Sequence, residues 1–401
     1  MPIRNSEGGM GGRLGRSHMS HHFDSQKVKD HSRIIRRQND LLEIDEALSQ
    51  EDWYFDNLPD DAAATKPRKK KKRKKNKFPL PEAMTDVQIN EFFDILKGQR
   101  TLFYYFKDRY ALMLLQWHIS NKISIQQLKQ SSYKSLLNKP LLKDIMATRG
   151  NGTLDKETIQ NCWPEDPECY VLTLDEWGDR FSWWNHFNQT SRPGKNLVLQ
   201  LNLSNKHRQE MLKLLRVDPE DEIFQLGCHP VADSRKHDTL GWVRMDFSDD
   251  MSTALIEEVQ TDFLREVNDL RKELLEAPVE DRDDICKSWY IETTAKDFFN
   301  YYETAVVPHL KIWDEALLAA ALFFLIDEIG VKEIFYHTVE SGKVIKQLED
   351  YPPPRSIYSD LPKKFCFKKT TEIPAFLEEP LKYRSTEEGR EIKPEFFKLE
   401  F

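Results

Sequence analysis

The side chains best suited to chemistry fall in two short stretches, "ALIEEVQTDF" at Ala254–Phe263 and "YHTVESGK" at Tyr336–Lys343. The first places Glu257, Glu258, Gln260 and Asp262 in a segment otherwise apolar enough for a strand. Strand alternation predicts Leu255, Glu257, Val259 and Thr261 on one face, with Ile256, Glu258, Gln260 and Asp262 on the other. Buried carboxylates are costly unless they meet a cation, a metal or an open cleft. Arg244, on a neighbouring apolar stretch, is the expected partner; ordinary charge pairs on a half-exposed sheet are the alternative. In the second stretch His337 has the chemistry of a general base, with Glu340 or Asp262 to orient it. The Ser-Gly-Lys turn offers backbone N–H groups and Lys343 to an anion, and Tyr336 and Ser341 are further substrate contacts. Packing roles for Tyr336 and His337 are the alternative there. Arg355 emerges from three consecutive prolines, which impose an extended rigid segment, and is a candidate for binding an anionic group. The candidate catalytic set is thus Glu258, Gln260, Asp262, His337 and Glu340, with Arg244, Tyr336, Ser341, Lys343 and Arg355 around the substrate. No GxxxxGK[ST], GxGxxG or HExxH spacing occurs, and Ser341 lacks the GxSxG context of a serine nucleophile. No metal site is expected.

These residues need a sheet to hold them. "NLVLQLNL" (196–203), "TLGWVRMDF" (239–247) and the Ala254 stretch read as strands, the last two joined as a hairpin through "SDD". A long charged insertion over 264–311 follows, with helical stretches. "IWDEALLAAALFFLIDEIG" is apolar on nearly every side, which suits a helix packed between layers, and Gly330 can end it. "VKEIFYHT" (331–338) is then a strand, and "KKFCFKK" (363–369) a later one. Strand, helix, strand predicts a βαβ unit in which 255–260 and 331–338 run parallel. In such sheets ligands bind beyond the carboxyl ends of the strands, where "QTD" and "YHTVESGK" fall. Ahead of this, 85–148 reads as a small helical unit, including one helix over "LFYYFKDRYALMLLQWHI", and "TRGNGT" at 148–153 marks a break. The expected architecture is α/β, with α+β as the alternative: residues 1–77 a disordered tail, 78–150 a helical unit, and 151–401 a mixed-sheet domain.

Charge divides the chain in the same way. Residues 1–77 carry 18 Lys/Arg against 12 Asp/Glu, a tail of +6 before a body that brings the whole to -8. Ten of the twelve residues in "KPRKKKKRKKNK" (66–77) are basic, and Lys69, Lys70, Lys71, Lys72, Arg73 and Lys74 are candidate nucleic-acid contacts or a nuclear-import address. A solvated spacer is the plainer reading. Five cysteines without a CxxC pair suggest a reducing compartment, and no signal peptide or membrane span is expected; the cytoplasm follows, or the nucleus in a eukaryote.

Five segments, "NLVLQLNLSNKH", "HPVADSRKHDTLGWVRMDF", "ALIEEVQTDF", "KIWDEALLAAALFFLIDEIGVKEIFYHTVESG" and "PPPRSIYSDLPKKFCF", together resemble a family of bacterial proteins of unassigned activity. "IEEVQTDF" also resembles the EIQSDW element of large polyvalent proteins of phages and conjugative elements, with Phe263 where tryptophan is usual. The order strand, helix, strand and terminal β segment is similar to GNAT-type acetyltransferases, which implies acyl-group transfer from acetyl-CoA. The Q/RxxGxG/A diphosphate loop of that family is missing from this chain. A non-enzymatic nucleic-acid-binding or protein-interaction module is the competing expectation.

Overall fold

The computed structural model describes residues 101–148, 152–178, 189–219, 221, 223–227, 229–232, 237–346, 348, 353–388 and 393–401; the expected tail and its basic run lie outside them. The first part of the described chain comprises β1 (Thr101–Tyr105), α1 (Arg109–His118), β2 (Lys122–Ser124), α2 (Ile125–Gln130), α3 (Pro140–Ala147), β3 (Thr153–Asp155) and α4 (Lys156–Gln160). Next come β4 (Glu168–Trp177), β5 (Asn196–Asn202), α5 (Asn205–Leu215), β6 (Thr239–Phe247) and β7 (Thr253–Gln260). Helices α6 (Phe263–Glu276), α7 (Arg282–Ser288), α8 (Ala295–Tyr301), α9 (Val307–Leu310) and α10 (Trp313–Phe323) lead to β8 (Glu333–His337). The chain closes with α11 (Val339–Ile345), α12 (Leu361–Lys364), β9 (Lys368–Thr370), α13 (Ala375–Glu388) and β10 (Phe396–Leu399).

Eight strands form one mixed sheet in the order β1-β4-β5-β6-β7-β8-β10-β9, an α/β architecture. Strands β7 and β8 run parallel, with Ile256 opposite Tyr336, as the βαβ pattern predicts. The other pairs are antiparallel. One face of the sheet is apolar: Tyr170, Leu172, Leu197, Leu199, Leu201, Val243, Met245, Phe247, Ile256 and Val259 share a core with α10. Helix α10 is buried on all sides from Glu315 to Leu322 and crosses β5, β6 and β7. It comes so near that a Cβ on Gly241 would lie 2.5 Å from the Gln260 carbonyl oxygen and 2.7 Å from Leu317 Cδ1.

Two elements differ from expectation. "TLFYY" is strand β1 and not the start of a helix, because its period is two: Phe103 and Tyr105 are buried while Leu102 and Tyr104 are exposed. β1 pairs with β4, so this part of the chain joins the large sheet across the expected boundary at 150. "KKFCFKK" begins as helix α12 and yields only the short β9, with Cys366 at φ 63 turning the chain between them. The charged insertion is amphipathic, and it buries Leu264, Val267, Leu270, Leu274, Phe298, Tyr301 and Val306 in the main core. No helix among the described residues is long and apolar enough to cross a membrane.

Candidate functional site

The second face of the sheet is polar, although much of it is buried. It presents Thr173 and Asp175 from β4, Asn196, Gln200 and Asn202 from β5, Arg244 and Asp246 from β6, and Glu257, Glu258 and Gln260 from β7. Simple alternation put Glu257 opposite Glu258, and that expectation is corrected by a bulge. Arg244 pairs with Glu258 but Met245 pairs with Ile256, so Glu257 is an extra residue in β7. The faces shift by one there: Ile256 and Val259 enter the apolar core, while both glutamates turn to the polar side.

At the bulge a buried ionic network forms. β8 ends at His337, and Glu257, next along from the last β7–β8 pair, has its carbonyl taken instead by Lys346 Nζ and by Tyr358 Oη at 3.1 Å. The Glu257 carboxylate receives the Ser191 backbone N–H at 3.1 Å and lies 3.2 Å from His337 Nε2 and 3.4 Å from Lys346 Nζ. Burial alone would raise its pKa; Lys346, His337 and Arg244 outweigh that and hold the carboxyl below its usual range. Burial pushes both His337 and Lys346 down, with Glu257 opposing the fall in each. His337 is bonded through both nitrogens, Nδ1 to Ser341 Oγ at 2.9 Å and Nε2 to Ser191 Oγ at 2.8 Å as well as to Glu257. With no exposed surface, this imidazole positions the bulge.

The expected orientation of His337 by Asp262 or Glu340 is therefore corrected. Glu340 is exposed in the first turn of α11, and Asp262 lies past the end of β7 as the residue before α6. Asp262 instead holds a histidine that sequence reasoning missed: His229 Nδ1 lies 2.5 Å from Asp262 Oδ2, with side-chain exposures of 16% and 1%. Arg265 and Gln260 Nε2, the latter at 3.1 Å, bind the other carboxylate oxygen. The imidazole lies close to two indoles, with ring centroids 5.9 Å from Trp177 and 5.4 Å from Trp242. Arg244 binds Glu258, at 2.9 Å, and its guanidinium lies over Trp177 at 5.6 Å.

A directed chain of hydrogen bonds crosses the same face. Thr239 Oγ1 donates to Asn202 Oδ1 (2.7 Å), Asn202 Nδ2 to Thr173 Oγ1 (2.7 Å), Thr173 Oγ1 to Gln200 Oε1 (2.5 Å), and Gln200 Nε2 to Asp175 Oδ2 (3.2 Å). The chain ends on a half-buried carboxyl whose pKa burial raises, against a donor from the Glu176 backbone. Asp175 lies two residues from Trp177 on one strand face, about 7 Å away.

The other candidates are spread out. Tyr336 is fully buried on the apolar side, donating to the Ile357 carbonyl at 3.0 Å. Ser341 is buried in the capping box that starts α11, bonded to Thr338. Lys343 is half-buried, and Lys346, three residues on, is the lysine that enters the network. Arg355 is exposed. Among the described residues, no three His, Cys, Asp or Glu side chains come together as a metal site.

The turn from β7 into α6 is where the similarity to acetyltransferases would place a CoA diphosphate. It holds buried Asp262 and, in the first helical turn, Glu266, and two carboxylates at a helix N-terminus do not fit a second anion. No family model, curated protein or solved structure matches the chain.

Proposed function

We propose that the polar sheet face is the active surface of a group-transfer enzyme, acting on an acyl or chemically similar group. The observation that carries this reading is part-exposed His229 paired with buried Asp262 just past the carboxyl end of β7, with Trp177 and Trp242 close to the imidazole. In this reading Nε2 is the proton-transfer atom, and the buried carboxylate at Nδ1 stabilises the imidazolium that forms. His229 then takes the proton of an attacking amine or hydroxyl. Asp175, whose pKa is raised by burial, suits the opposite task of holding a proton for the leaving group. The tryptophans supply flat apolar walls, and the ionic network beneath them keeps the floor rigid.

Because the α6 N-terminus does not fit a diphosphate, the donor in this reading is an acyl ester, acyl phosphate or thioester recognised without one. The test supplies the full chain with p-nitrophenyl acetate, acetyl phosphate and acetyl-CoA in turn, with amine and hydroxyl acceptors. Saturable transfer from a simple donor, uncompeted by free CoA, is the expected result. Failure of every donor to give turnover that depends on Asp262 and His229 would overturn the reading.

A further inference from the structure

The segment Gln189–Lys195, "QTSRPGK", lies across the polar face just before β5, and each of its contacts is of a kind used to recognise a peptide in trans. Arg244 Nη2 donates to the Gln189 carbonyl at 3.1 Å. Glu257 accepts the Ser191 N–H, and His337 Nε2 meets the Ser191 hydroxyl. Arg192 is gripped on three sides: Nε and Nη2 donate to the two Asp246 oxygens at 2.7 and 3.0 Å, Nη2 also donates to the Phe247 carbonyl at 2.6 Å, and Phe376 of α13 lies 4.5 Å from the guanidinium. A fork of carboxylate oxygens, a carbonyl and an aromatic face together match a guanidinium and discriminate against an ammonium.

A second observation bears on how this segment sits. Arg192 Nη1 and both polar atoms of Asn196, residues 2% and 0% exposed, are buried without a hydrogen-bond partner among the described residues. Buried polar groups are mostly paired; these three atoms lie on the segment and on the first residue of β5 that follows it, and unpaired atoms also occur at buried Tyr110, His207 and Tyr301. The segment turns at Gly194, φ 110, whose carbonyl oxygen lies 2.5 Å from where a Gly178 Cβ would stand.

We propose that the cleft formed by Asp246, the Phe247 carbonyl, Phe376 and Glu257 is a binding site for an arginine-bearing peptide, which Ser191–Arg192 fills in cis as an internal competitor. The ligand class is an extended segment with a small hydroxyl residue followed by arginine. The proposal stands apart from the chemistry at His229, and either can fail without the other. A tethered competitor acts at a high effective concentration, so removing it tightens binding in trans without any new contact.

The test titrates the full chain with the acetylated, amidated heptapeptide Gln-Thr-Ser-Arg-Pro-Gly-Lys and with the same peptide carrying lysine for arginine. Hydrogen exchange over residues 189–195 is followed in parallel. The wild-type protein is expected to bind the arginine peptide, with amide exchange of the displaced segment rising at least tenfold. Arg192→Ala should bind at least tenfold more tightly, and adding Asp246→Asn should abolish that gain. Arg192→Met, which keeps an unbranched stem in the cleft, replaces the alanine variant if the latter does not fold. Equal binding of the lysine peptide, no gain in either Arg192 variant, or unchanged exchange over 189–195 would each overturn the proposal.

Discussion

Replacing Lys346 by methionine keeps an unbranched apolar stem, one atom shorter, and removes the charge that sits 3.4 Å from the Glu257 carboxylate. At an effective dielectric of about 20, that attraction is about 5 kcal/mol. Methionine also relieves the cost of burying the ammonium, and His337 and Arg244 still face the carboxylate. Breaking a buried pair costs about 3–5 kcal/mol, and the remaining partners put the net loss near the lower end, about 3 kcal/mol. With an unfolding entropy of about 2.1 cal/mol/K per residue over residues 101–401, the melting temperature should fall by about 5 °C. Acid should narrow the difference. In the wild type the His337 pKa is depressed by burial and further by Lys346, so the unfolded chain takes up the proton first as pH falls below about 6.5 and stability drops. Without Lys346, folded His337 can accept that proton and pair with Glu257, so the variant loses less between pH 7.5 and 5.5. Denaturant unfolding of both proteins across this range is the assay. A loss below about 1 kcal/mol at pH 7.5, or a gap that widens in acid, would refute the ionic account of the bulge.

Three further substitutions probe the frame around the site. Gly241→Ala forces a Cβ against the β7 backbone and Leu317, and unfolding measurements should show a loss of about 1–3 kcal/mol. Glu315→Gln weakens a fully buried carboxylate that Lys107, Lys364, the Tyr105 hydroxyl and the Asp108 backbone all address. Burial would raise that carboxyl's pKa, but the two lysines hold it low, and their loss of a charged partner should cost about 2–4 kcal/mol by calorimetry. Thr338→Ala removes the capping box of α11 and should cost about 1 kcal/mol, with faster amide exchange in the first turn of that helix.

The elements that answer to local pattern were legible in the sequence. "TLGWVRMDF" is the whole of β6, the apolar helix before Gly330 is buried as its composition demands, and the βαβ order yields the parallel pair. The bulge was not legible, because one inserted residue reverses every later side chain while leaving the composition of the strand unchanged. His229 was missed for a related reason. It lies in an irregular stretch with no periodicity, and its carboxylate partner is 33 residues away. Lys346 rather than Lys343, and Asp262 beside His229 rather than His337, are choices made by long-range packing of charged groups, on which strand alternation is silent. Ser191 and Arg192 precede a Pro-Gly pair that reads only as a turn.

The central claim, that part-exposed His229 paired with buried Asp262 is the reacting centre, is tested most directly by kcat/KM for transfer from p-nitrophenyl acetate in the wild type and in His229→Gln. General-base catalysis contributes about 10²–10⁴-fold, so the variant should lose at least 100-fold while melting within about 2 °C of the wild type. Equal kcat/KM in the two proteins would contradict the account.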